Sequence, residues 1–521
     1  MRMKTKWTKD KVITFVTDFS RAALYLIAMC MLLWLNRYAI SRGRHLYAND
    51  SSIRLLILRG IIFVGIVCAS VAAGFLMEKL IAQKQRLEKI VLTICCLMFW
   101  CVCLWWVSIV PYKLEADQLI VWYNSVLASE NDFIMQSHGG QMFLYPQQLG
   151  LSFLYELLFR ITGNTDHQMI GYLTATLAPL TLFCGYQCVK ECSGTKAAVR
   201  FLPFMMLCLP YIIYSPYVYG DIPSISYTFI LLWAVLRAIK TKKIRYAVLA
   251  CFVAAIALLS RMNVWIVLIG LAIGLAYHAF HNWNWKPALL AICILLGAFL
   301  SVEAVQQYNS YRSGYPVAEG MPSVLWIAMG MQEGGEAAGQ YNNYGKKVYN
   351  EAEYDKKLAG EIGLQEVKDR LQIFIENPSY ARDFFHEKMY TQWIDPLFES
   401  IKFTGTFEDQ AVKPAGPVVV WAYGGDGRDV IERFSSHMLF MVYIFALLGV
   451  VFRFFQKKPI VQDIPLIVFV GGFLFSIIWE AKARYVLPYF VLLHVYAAYG
   501  LTYVSEWIKL GILKYKVSKE K

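Results

Sequence analysis

Charge is scarce in this chain. Asp, Glu, Lys and Arg supply 17% of its 521 residues, against about a quarter in soluble globular domains, which excludes an ordinary water-soluble fold. Metal motifs are also missing. The eight histidines include no His-Glu-x-x-His pair, so a helix-borne zinc site of that kind is excluded. All twelve cysteines precede residue 294 and the polar stretch 306–435 has none, so no disulfide framework is implied there. Cys184, Cys188 and Cys192 recur every four residues on a predicted helix, a spacing that reads as packing rather than ligation. The run Gly424-Gly425-Asp426-Gly427 lacks the Lys and Ser/Thr of a phosphate loop. No internal repeat or low-complexity tract stands out.

What the chain has instead is hydrophobicity. Apolar residues make up 58% of it, gathered in runs of about 20 residues, each long enough to cross a bilayer as a helix. The expected fold class is an all-α polytopic membrane protein. The net charge of +13 sits in short loops between these runs, as the positive-inside bias requires, and this accounts for it better than nucleic-acid binding. The first apolar run follows a basic head and leads into a long hydrophobic segment, so no cleavable signal peptide is expected.

Loop charges then give a topology. Arg2, Lys4, Lys6, Lys9 and Lys11 hold the N-terminus in the cytoplasm, and Lys509, Lys514, Lys516, Lys519 and Lys521 hold the C-terminus there. Spans are expected near 15–37, 57–77, 90–110, 168–189, 200–219, 222–239, 287–305, 436–454, 463–479 and 486–507. The run 246–280 is too long for one helix and divides at Ser260-Arg261-Met262-Asn263. The total is about twelve. The loop 38–56, with Arg42, Arg44 and Arg54, falls outside and is the one violation of the bias. Parity leaves no room for 146–162 as a span, so it is expected to be an external juxtamembrane or re-entrant helix, with Pro146 at its start. The expected divisions are an N-terminal hairpin (1–89), a core (90–305) with a first outer loop (111–167), an extracellular domain (306–435) and a C-terminal part (436–521).

The extracellular stretch reads as mainly helical. Glu361–Ile375 is amphipathic, Asn377-Pro378 breaks it, and a second helix runs from Ser379 through Lys388 to Trp393, before Asp395-Pro396. The apolar segment from Pro322 to Met331 is expected in the membrane interface.

The outer face gathers most of the notable charge. Glu115-Ala116-Asp117, Tyr219-Gly220-Asp221, Arg261 and Glu480-Ala481-Lys482-Ala483-Arg484-Tyr485 all lie at outer span ends. Ionisable groups at an apolar boundary are functional candidates. Asp117 and Asp221 equally suit helix caps, and Arg261 and Arg484-Tyr485 equally suit interfacial anchors. Together on one face they point to acid–base chemistry on an anionic, lipid-borne substrate: a carboxylate to take a proton and guanidinium forks to hold phosphate.

In these motifs the chain resembles the GT-C class of membrane glycosyltransferases, the family 39-like group of protein O-mannosyltransferases and bacterial aminoarabinose transferases. The resemblance covers roughly 90–300 and 436–507. It rests on Glu115-Ala116-Asp117, Tyr145-Pro146-Gln147-Gln148-Leu149-Gly150 with a helix closing at Gly163, Asp221, Leu259-Ser260-Arg261, and a late Glu480, Arg484, Tyr485 and Pro488. It implies a GT-C-like fold and an acid/base at Asp117, with Glu115 and Asp221 as further catalytic candidates. It implies a polyprenyl-phosphate sugar as donor, its phosphate held by Arg261, Arg484, Lys482 and Tyr485. Glu480, Lys388, Trp393 and His138 are the substrate-binding candidates. The acidic motif follows the third span rather than the first, so two spans look added, and the pair is Glu-x-Asp where many relatives have adjacent acids. The external Asn377, Pro378, Lys388 and Trp393 look like Gram-positive cell-surface members of the class.

The expected function is transfer of a sugar to a cell-envelope acceptor outside the membrane: a wall polysaccharide, teichoic acid, glycolipid or protein. A transporter, flippase or polymerase of polyprenyl-linked glycans, or a scaffold, is the alternative. No cofactor is certain; a divalent cation held by Glu115, Asp117 and Asp221 is compatible with the residues.

Overall fold

A computed structural model describes residues 9–45, 85–407, 413–456 and 459–519, with positions 64, 65, 68, 72 and 79 between the first two stretches. Among the described residues there is no β-strand, and two isolated bridges stand alone. The fold is all-α. In chain order the α-helices of five residues or more are α1 (Lys9–His45), α2 (Gln85–Ile109), α3 (Ala116–Ser129), α4 (Leu149–Thr162), α5 (His167–Ser193), α6 (Thr195–Met206), α7 (Leu209–Ile213), α8 (Asp221–Thr241), α9 (Ile244–Ser260) and α10 (Val264–His281). They continue with α11 (Lys286–Ser313), α12 (Val324–Gly330), α13 (Tyr344–Glu351), α14 (Lys356–Glu376), α15 (Pro378–Trp393), α16 (Ser400–Thr404), α17 (Pro417–Tyr423), α18 (Gly425–Phe454), α19 (Ile464–Ile478) and α20 (Ala483–Lys519).

Nine helices among the described residues are long and apolar enough to cross a membrane, and α9 is a shorter apolar helix. The expected span 57–77 falls almost wholly outside the described residues. The expected span 200–219 is two short helices, α6 and α7. Proline is the cause. α6 runs through Pro203 to Met206, and Pro210 lies in the first turn of α7; the Pro210 nitrogen cannot donate to the Met206 carbonyl, so the helix stops and restarts. The stretch 146–162 resolves into α4, 14 residues long, too short to cross about 30 Å of hydrocarbon.

Glycine permits close helix contact between α18 and α20. A Cβ on Gly500 would lie 2.0 Å from the Phe445 carbonyl and one on Gly449 2.2 Å from that of Tyr496, so α18 and α20 pack backbone to backbone. At the end of the bundle where α19 begins, Asp463 is fully buried and ties α1 to α18. It accepts from Tyr25 Oη at 2.8 Å and pairs with Arg453 at 3.2 Å and Arg21 at 3.4 Å. At the other end Glu156 of α4, 1% exposed, binds Arg312 of α11 at 2.8 Å and Arg160 at 2.8 Å.

The segment between α11 and α18 is helical. The break at Asn377-Pro378 separates α14 from α15 as the sequence predicts. Asp355 caps α14, accepting from the amides of Lys357 at 2.8 Å and Leu358 at 3.0 Å. The apolar 322–331 segment packs on protein. Leu325, Ala328 and Met329 of α12 are buried, and Trp326 stacks on Trp479 with ring centres 5.9 Å apart. Part of its apolar surface is therefore covered by protein packing.

Candidate active site

Three chain segments converge at one end of the bundle. The first leaves α2 through Pro111 and enters α3. Lys113 N donates to Thr406 O at 3.0 Å and Tyr112 bridges Phe407, which pins this loop to the α16–α17 connection. Ala116 has φ +48°, a left-handed turn uncommon for a residue with a Cβ. It swings Glu115 and Asp117 away from capping: Glu115 occupies the N-cap position without a side-chain cap bond, and its carboxylate accepts from Thr406 Oγ1 at 2.9 Å.

The second segment joins the start of α8 to the end of α9. Gly220 sits against the Ser260 carbonyl so closely that a Cβ would be 2.0 Å from that oxygen. This brings Asp221, fully buried, onto Arg261, 8% exposed, as an ion pair. The second oxygen of Asp221 has no hydrogen-bond partner.

The third segment links α19 to α20. Ala481 N donates to Gly339 O at 2.7 Å and Arg484 N to Glu399 Oε2 at 3.4 Å. Glu480 and Lys482 pair at 3.0 Å. Arg484 is 2% exposed and aims its guanidinium at Tyr217 Oη, at Asp117 (3.5 Å) and at Asp221 (4.0 Å). Its carbon lies 4.7 Å from the Phe403 ring centre and 5.4 Å from that of Tyr219, so aromatic faces take part of its charge.

These segments line a cavity of about 530 Å3. Glu115, Asp117, Glu480, Lys482, Arg484 and Tyr485 all face it. The Asp221–Arg261 pair lies behind this wall and does not line it; Arg261 touches the cavity residues Tyr219 and Tyr485 through their rings, at 5.6 and 5.4 Å. Three other candidates lie off the cavity. Lys388 is fully buried and donates to the Gly330 carbonyl. Trp393 is buried and donates to Ser476 Oγ at 2.9 Å. The His138 ring packs on Phe143 and Tyr354. Burial pushes Lys388 down to about 7, with Glu480 opposing. Burial and the neighbouring Asp395 raise Glu399, against the pull of Arg484.

Sequence reasoning missed several lining residues: Gln118, Tyr145, Gln148, Tyr217, Tyr341, Lys346 and Lys402. Tyr145 and Gln148 lie inside a motif already singled out, and Tyr217 precedes Asp221 by four residues. Nothing in the sequence marks Tyr341, Lys346 or Lys402, which arrive from the polar segment between α11 and α18. No group of three His, Cys, Asp or Glu side chains among the described residues is arranged to hold a metal ion; Asp221 is turned to Arg261 instead of joining Glu115 and Asp117.

Residues 147–305 match the dolichyl-phosphate-mannose-protein mannosyltransferase family. The chain is thus similar to GT-C membrane glycosyltransferases. The matched part, less than a third of the chain, runs from the start of α4 through most of α11 and carries Gln148, Asp221 and Arg261. No curated protein matches the chain. With the family match, the apolar helices describe a multi-pass membrane protein with glycosyltransferase chemistry.

Proposed function

We propose that this protein is an inverting glycosyltransferase that moves a sugar from a polyprenyl phosphate to a cell-envelope acceptor on the outer face of the membrane. The observation that carries this reading is a carboxylate and a guanidinium, Asp117 and Arg484, set 3.5 Å apart on the wall of one cavity. Asp117 takes the proton from an acceptor hydroxyl. The freed oxygen attacks the sugar carbon from the side opposite the phosphate. The bond from that carbon to the phosphate oxygen breaks, and the electron pair leaves with the lipid phosphate.

Arg484 and Lys482 face the charge that grows on the leaving oxygen, and such charge is stabilised more in the transition state than in the ground state. Asp221 is committed to Arg261 and holds Arg484 from behind, at 4.0 Å. Asp117 is 39% exposed, so a phosphate can take its place beside Arg484. The loop charges support a topology with both termini in the cytoplasm and the cavity outside. Nucleotide sugars are confined to the cytoplasm, so a lipid-borne donor follows.

The experiment is transfer of radiolabelled hexose from polyprenyl phosphate to envelope fractions by the purified protein in nanodiscs. Label moved to polymer, lipid or protein supports the reading. Transport of intact polyprenyl-linked sugar without bond cleavage overturns it in favour of a flippase.

A further inference from the structure

Two amide side chains in the cavity wall are left with free oxygens. Gln118 follows Asp117 on α3 and is 3% exposed; Gln148 precedes α4 and is 8% exposed. Both line the cavity. No protein group donates to Oε1 of either. Gln148 Nε2 donates to Tyr219 Oη at 3.3 Å, so that amide is held in place with its other end free. Turning it over would exchange a free oxygen for a free N–H.

A buried amide oxygen without a donor is unfavourable, and two in one wall point to a ligand that brings donors. A polyprenyl tail has none, and an ionised phosphate diester has none. Sugar hydroxyls both donate and accept, so they satisfy either end of an amide. Position separates the two sugars of the reaction. Gln118 adjoins Asp117 in sequence, and Gln148 is tied to Tyr219, whose ring centre is 5.4 Å from the Arg484 carbon. A donor's sugar begins one bond from the phosphate, so it occupies the cavity that Arg484 shares with these two residues.

We propose that Gln118 and Gln148 form a hydroxyl-reading subsite for the donor sugar and decide which sugar the protein accepts. This rests on the polyprenyl-phosphate donor reading. Such a site discriminates strongly, because a sugar lacking the matched hydroxyl leaves a buried amide unpaired. The sequence signal was slight: Gln148 lies in the Tyr145–Gly150 motif, and Gln118 beside the acidic pair.

The test is binding by the protein in nanodiscs to three probes: bare polyprenyl phosphate, polyprenyl-phosphate mannose and polyprenyl-phosphate glucose. The unaltered protein is expected to prefer one sugar-bearing lipid over the bare one. Gln118→Leu and Gln148→Leu should each cut that preference roughly tenfold while binding bare polyprenyl phosphate as before, which also reports correct folding. If a leucine variant loses the bare lipid, Gln118→Met or Gln148→Met, closer in shape, replaces it. Retained sugar preference in the variants overturns the subsite alone. In transfer assays on the same variants, a rise confined to the KM of the acceptor overturns its assignment to the donor sugar. No binding of any probe by the unaltered protein overturns the donor reading and the subsite with it.

Discussion

The guanidinium of Arg484 lies 3.5 Å from the carboxylate of Asp117, although 367 residues separate them in the chain. The proposed chemistry depends on this pairing of the first polar loop with the start of the last helix.

Asp117→Asn keeps the size of the side chain and removes its capacity to accept a proton. Turnover is expected to fall by roughly 10²–10⁴-fold, with the elution profile of the purified protein unchanged. Steady-state transfer of labelled sugar measures this. Near-normal rates would move the base to Glu115, which faces the same cavity.

Arg484→Ala should lower kcat by roughly 10²–10³-fold and weaken donor binding as well. Arg484→Lys should recover only part of both, because an ammonium lacks the two-pronged geometry of a guanidinium. Normal kinetics in both variants would place the phosphate elsewhere, with Lys482 the next residue to alter.

Asp221 and Arg261 are a buried pair, with side chains 1% and 7% exposed. Asp221→Asn leaves Arg261 without its partner and should destabilise the fold by about 3–5 kcal/mol. The double change Asp221→Asn, Arg261→Met removes both charges and should recover much of that loss. Thermal unfolding of the four proteins forms the cycle. A double variant as unstable as the worse single one would show that the pair is not the unit.

Lys388 gives a pH dependence of stability. Its pKa falls from 10.5 to about 7 in the folded protein, because burial disfavours the ammonium more than Glu480 favours it. Between these values the unfolded chain binds more protons than the folded one, so stability rises with pH across that window. Lys388→Met removes the titrating group. Its Tm advantage over the unaltered protein should be greatest below pH 7 and shrink toward pH 10.5. A constant difference across the window would contradict the assignment.

The sidedness is tested with single cysteines in a cysteine-free background. Positions Asn343 and Asp426 are exposed near the cavity end and Lys243 is exposed between α8 and α9. An impermeant thiol reagent added to intact cells should label the first two and spare the third. Labelling at 243 would reverse the orientation and put the cavity in the cytoplasm.

The fold was legible wherever local chemistry is strong. Apolar runs such as 90–110 and 287–305 announce their helices because bilayer thickness fixes the length of a span. Asn377-Pro378 announces the gap between α14 and α15 because proline lacks an amide donor. The run 200–219 was legible as apolar but not as broken, since Pro210 opens a second helix inside it. Hydropathy counts side chains and is blind to backbone donors. The segment 322–331 shows a related limit: an apolar face does not announce that Trp479 will stack on Trp326.

The sequence by itself determined the membrane class, the helix-forming segments and the set of charged motifs at their ends, because each follows from residues within one turn or one span. Tertiary structure alone decided which of those charges meet. Asp221 and Arg261, each open to a role as cap, anchor or active-site group, are joined across α8 and α9 where Gly220 lets two backbones touch. Arg484 reaches Asp117 only because α20 begins beside the loop that leads into α3. Lys388 and Trp393, substrate-binding candidates on a predicted external helix, are buried with hydrogen bonds to Gly330 and Ser476. Pairing across hundreds of residues depends on the path of the whole chain, and no local pattern encodes that path.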